Sequence, residues 1–386
     1  MNSVPLGLLV APVESWNPIV NGRDESIRYI DIAAVDNTSK RIVASQRLLG
    51  RQAPSRARQL VNASDVLVST VRPNLNAVAT VESDLDGATA STGFCVLRAR
   101  PAKLNHRYLF QWVKSAAFVA EMVQRATGAS YPAVSDRIIL DAKIPLPSLP
   151  EQRRIADILD RAETLRAQRR QALAQLDALA EAIFLEMFGN PLTNPKAWPT
   201  TKLSSLGRLD RGVSKHRPRN DPVLLGGIHP LIQTGDISNC DRYVRSFSAT
   251  YSEIGLQQSR KWPAGTLCIT IAANIAKTGV LTFDACFPDS VVGFQPNDQA
   301  TTEFIQTWLS FLQKMLEDSA PESAQKNINL AILRDLEVPL PPMAKQRVYV
   351  ARLVSIEQMK TAHHESSREL DALFASIQHR AFRGEL

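Results

Sequence analysis

The sequence predicts an α+β protein in which two pseudo-repeated mixed α/β domains are separated by two long antiparallel, coiled-coil-like helices. The stretch "IPLPSLPEQRRIADIL" at Ile144 returns as "VPLPPMAKQRVYVARL" at Val338, and the match continues without a gap at an offset of 194 residues. A weaker likeness at an offset of 200 residues links the regions that precede these stretches. Such internal periodicity means that the chain is built twice.

The repeat divides the 386-residue chain into four predicted segments. Residues 1–143 form the first mixed domain and 144–189 the first helical spacer. Residues 190–337 form the second mixed domain and 338–386 the second spacer. The chain is 44% hydrophobic and 22% charged, which is typical of a globular protein, so each half has enough apolar residues for its own core.

The spacers have the pattern of long helices. Between Glu151 and Phe188 there is neither Pro nor Gly, and apolar residues recur at alternating steps of three and four, as in a heptad seam. The predicted seam residues are Ile155, Ile158, Leu165, Arg169, Leu176, Leu179 and Ile183 in the first copy and Ile356, Met359, His363, Leu370, Leu373 and Ile377 in the second. The polar midpoints Arg169 and His363 either reach solvent from the edge of a bundle or fix the register of the pair.

The order of the segments predicts that the two helices are antiparallel. The first helix ends at Gly189-Asn190-Pro191, where the second domain begins, so by internal symmetry the second helix returns toward the first domain. About 38 residues at 1.5 Å each give a helix of roughly 57 Å. We therefore expect the helices to act as struts that hold the domains apart.

The likeness between the two domains is carried by strand-like text. The stretches "DVLVSTVRPNLNAVATV" from Asp65 and "GTLCITIAANIAKTGVL" from Gly265 align Leu67 with Leu267 and Asn74 with Asn274. The apolar frame is shared while the polar loops differ. This combination favours two binding surfaces mounted on one scaffold.

The basic balance of the chain favours a polyanionic partner, because its net charge is +7. Arg and Lys can clamp phosphates, while Arg, Asn and Gln can pair with base edges. The candidate DNA-binding residues are Arg72, Asn74, Asn76, Ser130 and Tyr131 in the first domain and Lys215, Arg217, Gln233, Thr234, Asn274, Lys277, Lys326 and Asn327 in the second. Two alternatives stay open: an ordinary solvated loop for any one of these runs, and a shared turn for Asn74 and Asn274.

Several other classes of function are disfavoured. The sequence has no Gly-x-Gly-x-x-Gly, no Gly-rich Lys-Ser/Thr phosphate loop, no Asn/Asp-Pro-Pro-aromatic tetrapeptide and no His-Glu-x-x-His. Cys95, Cys240, Cys268 and Cys286 form no Cys-x-x-Cys pair, so we expect buried free thiols in a reducing cytosol. No apolar run approaches about 18 residues, so neither a membrane span nor a signal peptide is expected. These features predict a cytoplasmic protein with no catalytic residues and no metal site.

The layout resembles the specificity (S) subunits of type I restriction-modification systems over essentially the whole chain. The segments "IPLPSLPEQRRIADILD" and "VPLPPMAKQR" look like the two helical repeats of that family, and "RAFRGEL" looks like its usual C-terminal ending. In the first domain "YIDIAAVDN", "APSRAR", "STGFCVLR" and "TGASYPAVSD" look like one recurrent target-recognition domain. In the second, "SKHRPRND", "LIQTGDIS" and "QKNINLAILRDLEVPLP" look like another.

The resemblance implies a DNA-binding subunit that performs no chemistry itself. Each target-recognition domain would read one half of a bipartite site in double-stranded DNA, and the helices would set the gap. Two modification (M) subunits would pack on the helices and bring S-adenosylmethionine and adenine-N6 methylation. Two restriction (R) subunits, in systems that have them, would bring nuclease and translocase activity with ATP and Mg²⁺. A relative without a nuclease partner is an alternative, and this chain itself would bind no cofactor.

Two other classes of function stay open from the residues alone. A self-contained nuclease or methyltransferase would cut or methylate DNA as the purified chain, given Mg²⁺ or S-adenosylmethionine. A pure assembly scaffold would show no preference among random duplexes. Each alternative is therefore separated from a DNA reader by one simple assay.

The strut interpretation makes a testable prediction about the length of the gap. Inserting one heptad after Arg169 and another after His363 keeps the seam in phase and lengthens each helix by about 10 Å. Because duplex DNA rises about 3.4 Å per base pair, the gap should grow by roughly three base pairs while both half-sites stay the same. Methylation mapping of the variant with its M partner measures the gap. An active variant that keeps the original gap would contradict the strut interpretation.

Overall fold

The computed structural model describes residues 2–272, 275–319 and 328–386. The chain divides into two compact units: unit 1 contains Met1–Arg170 and Glu365–Leu386, and unit 2 contains Gln171–His364. Each unit combines one mixed α/β domain with a segment of each long helix, which confirms the predicted fold class. The four segment boundaries drawn from the repeat stay a prediction.

The domain of unit 1 consists of short strands and short helices that precede the first long helix. Its strands are β1 Ser3–Pro5, β2 Val10–Ala11, β3 Ser26–Ile30, β4 Val35–Asp36, β5 Arg41–Ile42, β6 Gln46–Leu49, β7 Ala57–Leu60, β8 Val66–Ser69, β9 Val78–Thr80, β10 Thr89–Ser91, β11 Phe94–Ala99 and β12 Lys143–Pro145. Its helices are α1 Pro18–Asn21, α2 His106–Val113, α3 Ala116–Arg125, α4 Asp136–Asp141 and the long α5 Leu149–Phe188, which continues into unit 2.

A central sheet of order β2-β11-β8-β9 organises unit 1, and a second sheet of order β6-β3-β10-β7 packs on it. Successive side chains of a strand point to opposite faces. Val66 and Val68 of β8 therefore pack with the apolar face of α2 and α3. Leu67, between them, packs with Ile30 of the second sheet. β8 therefore has core residues on both of its faces, which explains why Val66, Leu67 and Val68 are all apolar.

Unit 2 repeats this arrangement. Its strands are β13 Thr200–Lys202, β14 Gly207–Arg211, β15 Leu225–Leu231, β16 Tyr243–Val244, β17 Ala249–Tyr251, β18 Lys261–Trp262, β19 Leu267–Thr270, β20 Thr278–Leu281, β21 Ala285–Cys286, β22 Val291–Pro296 and β23 Glu337–Pro339. Its helices are α6 Thr234–Ser238, α7 Glu253–Gln257, α8 Thr302–Ser319, α9 Leu330–Asp335 and the long α10 Met343–Arg383, which continues into unit 1. The sheet order β14-β22-β19-β20-β16 matches β2-β11-β8-β9 with one strand added.

Each domain begins and ends on one two-stranded ribbon. In unit 1, β1 pairs antiparallel with β12, so that Ser3 lies opposite Pro145. In unit 2, β13 pairs antiparallel with β23, so that Thr200 lies opposite Pro339. Both prolines belong to the Pro-Leu-Pro repeats. Those repeats therefore lie where the chain leaves a domain and starts a long helix.

The glutamine of each repeat is a buried clamp. Gln152 is 1% exposed; its amide oxygen accepts a hydrogen bond from the Asn105 N–H, and its amide nitrogen donates to the Lys103 and Pro147 carbonyls. Asn105 is also the N-cap of α2, so Gln152 satisfies a backbone donor next to a helix start. The clamp thus joins α5, the Pro-Leu-Pro turn and α2.

The same clamp occurs in unit 2. Gln346 is 0% exposed, accepts from the Thr301 N–H at 2.9 Å and donates to the Gln299 and Pro341 carbonyls at 3.0 and 2.9 Å. Thr301 precedes α8 as Asn105 precedes α2. The repeated Gln is therefore explained by an identical set of hydrogen bonds in both copies.

The long helices pack on the domains through aromatic residues near their C-terminal ends. In unit 1, the Phe382 ring lies 5.4 Å from Tyr108 and 4.9 Å from Trp112 between centroids. In unit 2, Phe188 lies 5.1 Å from Phe304 and 5.5 Å from Tyr349. Each domain is thus packed by the helix of its own copy and by the end of the other long helix.

The structure corrects the heptad seam at four positions. Leu165, Leu179, Met359 and Leu373 are 52%, 43%, 45% and 53% exposed. The residues one step later, Arg166, Ala180, Lys360 and Phe374, face inward instead. Of the other predicted seam residues, Ile155 and Ile356 are buried, whereas Ile158, Arg169, Leu176, Ile183, His363, Leu370 and Ile377 are half-buried.

The inward face is displaced by one residue at these positions for a physical reason. A stripe on one face of a helix continues equally well by a step of three residues or of four residues. The inward Arg166 pairs with Asp371 and lies 4.5 Å from the Phe374 ring centroid. The inward Lys360 pairs with Asp177 at 2.6 Å. A heptad pattern of apolar residues does not include such cations, because the carboxylates that neutralise them are not part of the pattern.

These two ion pairs are equivalent in the repeat, because the offset of 194 residues converts Arg166 to Lys360 and Asp177 to Asp371. In unit 2 the order of contacts also shows the direction of the helices. Asp177 of α5 meets Lys360 of α10, and Phe188 meets Tyr349 farther along. The numbering rises on one helix while it falls on the other, so the two segments in unit 2 are antiparallel.

All four cysteines are free thiols, as the sequence predicts, and Cys95, Cys268 and Cys286 are buried. Cys240 is half-buried, which corrects that part of the expectation. Burial raises the pKa of the Cys240 thiol to about 11 and raises the pKa of the other three as well. These thiols stay protonated near neutral pH and are poor nucleophiles.

Substitution of either clamp glutamine is expected to destabilise the unit that contains it. Gln152→Leu leaves the Asn105 N–H and two carbonyls without their partners, and a buried unsatisfied polar group costs about 1–3 kcal/mol. We expect lower urea resistance and faster amide exchange in unit 1 for Gln152→Leu and in unit 2 for Gln346→Leu. The neighbouring Arg153→Leu is the matched control, because Arg153 is exposed. Wild-type amide exchange in both clamp variants would contradict the assignment.

Candidate nucleic-acid interface

The connection from β8 to β9 is a rigid, exposed turn in unit 1. Pro73–Leu75 form a 3-10 turn between Arg72 at φ +49° and Asn76 at φ +46°. A left-handed backbone costs residues with side chains about 1–3 kcal/mol and persists only where the surroundings hold it. Here the Arg72 N–H donates to the Pro132 carbonyl at 2.7 Å. The turn therefore presents Arg72 and Asn74, both exposed, on a fixed backbone.

A second loop of unit 1 supports that turn. Ala133 bridges to both Val71 and Thr127, which ties residues 127–133 to the end of β8. Tyr131 is 68% exposed, and the Arg72 guanidinium lies 4.7 Å from its ring centroid, which is a cation–π contact. Ser130 is exposed beside it. The structure thus brings together Arg72, Ser130 and Tyr131, which the sequence had selected from separate stretches.

Asn76 has a different environment from Asn74. Its carbonyl accepts from the Lys40 ammonium at 2.5 Å, and its side-chain amide donates to the Lys114 carbonyl at 3.4 Å. The amide of Asn76 therefore supports the turn from behind. In unit 2 the residue at the same repeat position, Ala276, also has a left-handed φ, +56°. The turn is what the two copies share here, since alanine has no amide.

In unit 2 the sheet topology gathers the loops that carry the candidate residues. β14 and β19 both run antiparallel to β22, so their C-terminal ends lie at one edge of the sheet. Lys215 and Arg217 follow β14, and Lys277 follows β19 by the same edge. Lys215 and Lys277 are exposed, and the Lys277 ammonium lies 3.5 Å from the Gln313 side-chain oxygen.

Gln233 and Thr234 join this edge through the second sheet. The end of β15 pairs parallel with β21, where Leu231 lies opposite Cys286. A cavity of about 270 Å³ is lined by Gln233 and Thr234 together with Ser214, which precedes Lys215, and Ser290. Hydroxyl and amide groups from three connections of unit 2 thus converge on one concave surface.

Part of the basic loop of unit 2 is already engaged. The Arg217 guanidinium donates to the Ser214 and His216 carbonyls at 2.6 and 2.8 Å and lies 3.5 Å from the Asp289 carboxylate. Arg219 pairs with the same carboxylate. Arg217 therefore helps to shape the loop as well as to charge it. The candidate residues Asn274, Lys326 and Asn327 lie outside the described residues.

Sequence reasoning missed two lysines behind the exposed turn of unit 1. Lys40 and Lys114 lie at a cleft between residues 38–41 and α5. Burial lowers the pKa of both ammonium groups, and for Lys40 the nearby Lys114 charge lowers it further. The only sequence signal is the pair Lys40-Arg41, which is too short to distinguish from an ordinary surface loop.

The long helices expose a second kind of surface. Apolar side chains that are 40–53% exposed occur along both helices: Leu165, Leu179, Leu185, Val348, Val354, Met359 and Leu373. Single exposed apolar residues are normal on a protein surface, but repeated ones on a helix suit contact with another protein. None of the described helices is long and apolar enough to cross a membrane.

Over residues 2–272, 275–319 and 328–386, no three His, Cys, Asp or Glu side chains converge as metal ligands would. The interface described above is thus made of cations, amides, hydroxyls and one stacked aromatic ring. Such groups bind phosphates and base edges by charge and hydrogen bonding.

Sequence similarity covers both domains. Residues 58–176 and 195–371 match the family described as the type I restriction modification DNA specificity domain. The chain is 24% identical to the type I restriction enzyme EcoBI specificity subunit of Escherichia coli, over 76% of this chain and 68% of that one. It is 20% identical to the HindI specificity subunit of Haemophilus influenzae, over 86% of this chain and 89% of that one.

Solved structures give a matching result. A chain from a structure on complex assembly and conformational transition of the type I R-M system is 29% identical, with a TM-score of 0.63 over 100% of this chain and 98% of that one. The type I restriction-modification S subunit of M. genitalium has a TM-score of 0.59 over 99% of this chain and 96% of that one. Because its identity is 11%, that second likeness concerns the fold alone.

The stacked pair of unit 1 predicts the effect of a single substitution. Arg72→Ala removes the guanidinium that the turn and Tyr131 hold in place, and an arginine that reads a base contributes about 1–3 kcal/mol of discrimination. We expect the variant to lose about 5- to 150-fold in affinity for its preferred duplex, measured by fluorescence anisotropy.

The matched control for this prediction is Arg154→Ala, which removes an equal charge. Arg154 pairs with Glu151 near the start of α5 and has no part in the turn. It should bind the duplex as the wild type does. An Arg72→Ala chain with unchanged affinity and sequence preference would exclude Arg72 from the DNA face.

Proposed function

The chain belongs to the family of type I restriction-modification DNA specificity domains, and we propose that it reads a bipartite duplex site, one half with each domain. The observation that carries this proposal is the repeated placement of polar loops. In both units the connection that follows the central strand, β8 or β19, carries a turn with a left-handed residue at the same repeat position. Around it lie different polar side chains, as two different half-sites require.

The chemistry of these loops suits duplex DNA. The exposed Lys215, Lys277 and Arg72 offer charges for phosphates, and Asn74 and Gln233 offer amides that can pair with adenine edges in the major groove. A rigid turn suits this task, because a fixed loop loses less conformational entropy on binding than a mobile one. Ser130, Tyr131 and Thr234 add hydroxyls to the same two surfaces, and the side chain of Asn76 supports the first from behind.

We further propose that partner subunits supply the chemistry. Two M subunits would cover the exposed apolar residues of the long helices and bring S-adenosylmethionine for adenine methylation. Where R subunits join, they would bring ATP- and Mg²⁺-dependent translocation and cleavage. The chain itself would be non-catalytic and would bind none of these cofactors.

Domain replacement tests the division of the site into halves. If residues 190–337 are exchanged for the same region of a related specificity subunit, one half of the methylated motif should change and the other should stay. Methylation mapping in cells that express the chimera with the M partner gives both halves at once. The purified wild-type chain, assayed with Mg²⁺ or S-adenosylmethionine, serves as the control for intrinsic activity.

Two outcomes would contradict the proposal. A simultaneous change in both halves would mean that the two domains read DNA jointly. Cleavage or methylation of DNA by the purified chain would mean that it is itself an enzyme.

A further inference from the structure

The cleft behind the exposed turn of unit 1 has the construction of an anion site. It has a volume of about 620 Å³ and lies between residues 38–41, the end of α2 and α5. Its lining contains the cations Lys40, Arg41, Arg107, Lys114, Arg166 and Arg170 and the carboxylates Glu82, Asp160 and Glu163. Outside the lining, Asp371 pairs with Arg166 and Asp157 pairs with Arg107, so six cations face five carboxylates and the positive charge stays in excess.

The three carboxylates of the cleft are already engaged with other cations of its lining. Glu82 accepts from Arg41 at 2.7 Å, and Asp160 pairs with Arg107. Glu163 pairs with the Lys114 ammonium, whose side chain is only 6% exposed. In contrast, the Lys40 ammonium donates to a neutral group, the Asn76 carbonyl. That contact does not neutralise the charge of Lys40, and the carboxylates of Asp36 and Glu163 act on it only through space.

Unit 2 provides an internal comparison for the same place. In unit 1, β5 lies beside β9, and in unit 2, β16 pairs with β20. Ser39 and Lys40 are the two residues before β5, and Asp241 and Arg242 are the two residues before β16. Ser39 therefore corresponds to Asp241, and Lys40 corresponds to Arg242. The position that carries a carboxylate in unit 2 thus carries a hydroxyl in unit 1.

That carboxylate has a partner on the long helix. Asp241 pairs with Lys360, and the offset of 194 residues makes Lys360 the equivalent of Arg166. Unit 2 therefore supplies its own anion between the domain and the helix. In unit 1, the Ser39 hydroxyl stands at that position and donates to Asp36. Arg166 borders the open cleft and pairs with Asp371, as Lys360 pairs with the equivalent Asp177. An anion from outside the chain would restore the charge balance that Asp241 provides in unit 2.

We propose that a phosphodiester of the bound duplex occupies this cleft and is held by Lys40, with Arg170 and Arg166 contributing at its edge. This inference rests on the proposed DNA-reading function. The cleft adjoins the exposed turn directly. Lys40 donates a hydrogen bond to the Asn76 carbonyl, and the Asn76 side-chain amide donates to the Lys114 carbonyl. B-DNA carries a phosphate for about every 1.7 Å of its axis, so a duplex seated on Arg72 and Asn74 has phosphates close to the turn that Lys40 contacts.

The energetics of the two lysines agree with this geometry. Burial and the Lys114 charge lower the pKa of Lys40, and the opposing effect of the Asp36 and Glu163 carboxylates is smaller. A phosphate would favour the charged form of both ammonium groups, because an opposite charge within about 4–6 Å raises the pKa of an amine. The contact carries no information about the base sequence. Lys40 therefore acts as a positioning residue that holds the turn against the sugar-phosphate backbone of the duplex.

Salt titration of DNA binding tests the proposal. The full-length chain is titrated with a fluorescent duplex of mixed sequence between low and moderate KCl, since a phosphate contact is independent of sequence. Each phosphate contact contributes about 0.9 to the slope of log K against log[salt]. Lys40→Gln should lower the magnitude of that slope by about one and weaken binding about five- to tenfold at 0.1 M salt.

A second variant supplies the missing anion within the chain. Ala167 is exposed, lines the cleft on α5 and lies in a helix where Glu is well tolerated. Ala167→Glu should reproduce the effect of Lys40→Gln, whereas the isosteric Ala167→Gln should bind as the wild type does. Arg154→Gln, which removes a paired charge elsewhere, and Ala178→Glu, which adds one at an exposed position outside the cleft, control for net charge.

The outcomes separate this inference from the proposed function. If Lys40→Gln and Ala167→Glu keep the wild-type slope while Arg72→Ala weakens binding, the cleft assignment is overturned and the DNA-reading function stands. If these variants bind DNA normally but lose association with the partner subunit, the cleft receives an acidic protein surface and the proposal is wrong. If the wild-type chain binds no duplex even at the lowest salt, both proposals fail together.

Discussion

A buried amide determines how each domain joins its long helix, and the rest of each unit depends on that junction. An amide side chain has fixed donors and acceptors, so one orientation alone satisfies Gln152 against Asn105, Lys103 and Pro147. A shift of the domain by a single residue would break these bonds in a site without water access. The clamp therefore holds the start of α2 against the start of α5.

Charge specifies the contact between the long helices where apolar packing would leave it loose. Burying Lys360 costs solvation energy that an apolar residue would not lose, and Asp177, Asp241 and Glu357 offset the cost. A seam of leucines tolerates slippage by one turn, whereas a buried cation loses its partners if the helix slides. The equivalent Arg166 is held by Asp371 in unit 1.

The duplication, the fold class and the long helices could be predicted from the sequence, because text repeated at a constant offset survives any uncertainty about single elements. The seam register could not be predicted fully, since the inward Arg166 and Lys360 are recognisable only with their carboxylates in place. In the candidate site, the grouping of Arg72 with Tyr131 depends on a bridge between distant segments. A periodic pattern identifies neighbouring residues within one helix or strand, whereas contacts between loops produce no periodic pattern in the sequence.

The two copies show how one frame can carry two surfaces. A backbone turn is retained where the side chain changes, as at Asn76 and Ala276, because the left-handed residue is fixed by the ends of the flanking strands. The residue before it is 45% exposed in unit 1, as Leu75, and buried in unit 2, as Ile275. Substitutions at the exposed positions of such a turn alter the surface chemistry, whereas Ile275 and Ala276 also pack in the core of unit 2. A fold that keeps the buried residues of its strands and varies the exposed residues of its turns can therefore change what it binds and still keep its stability.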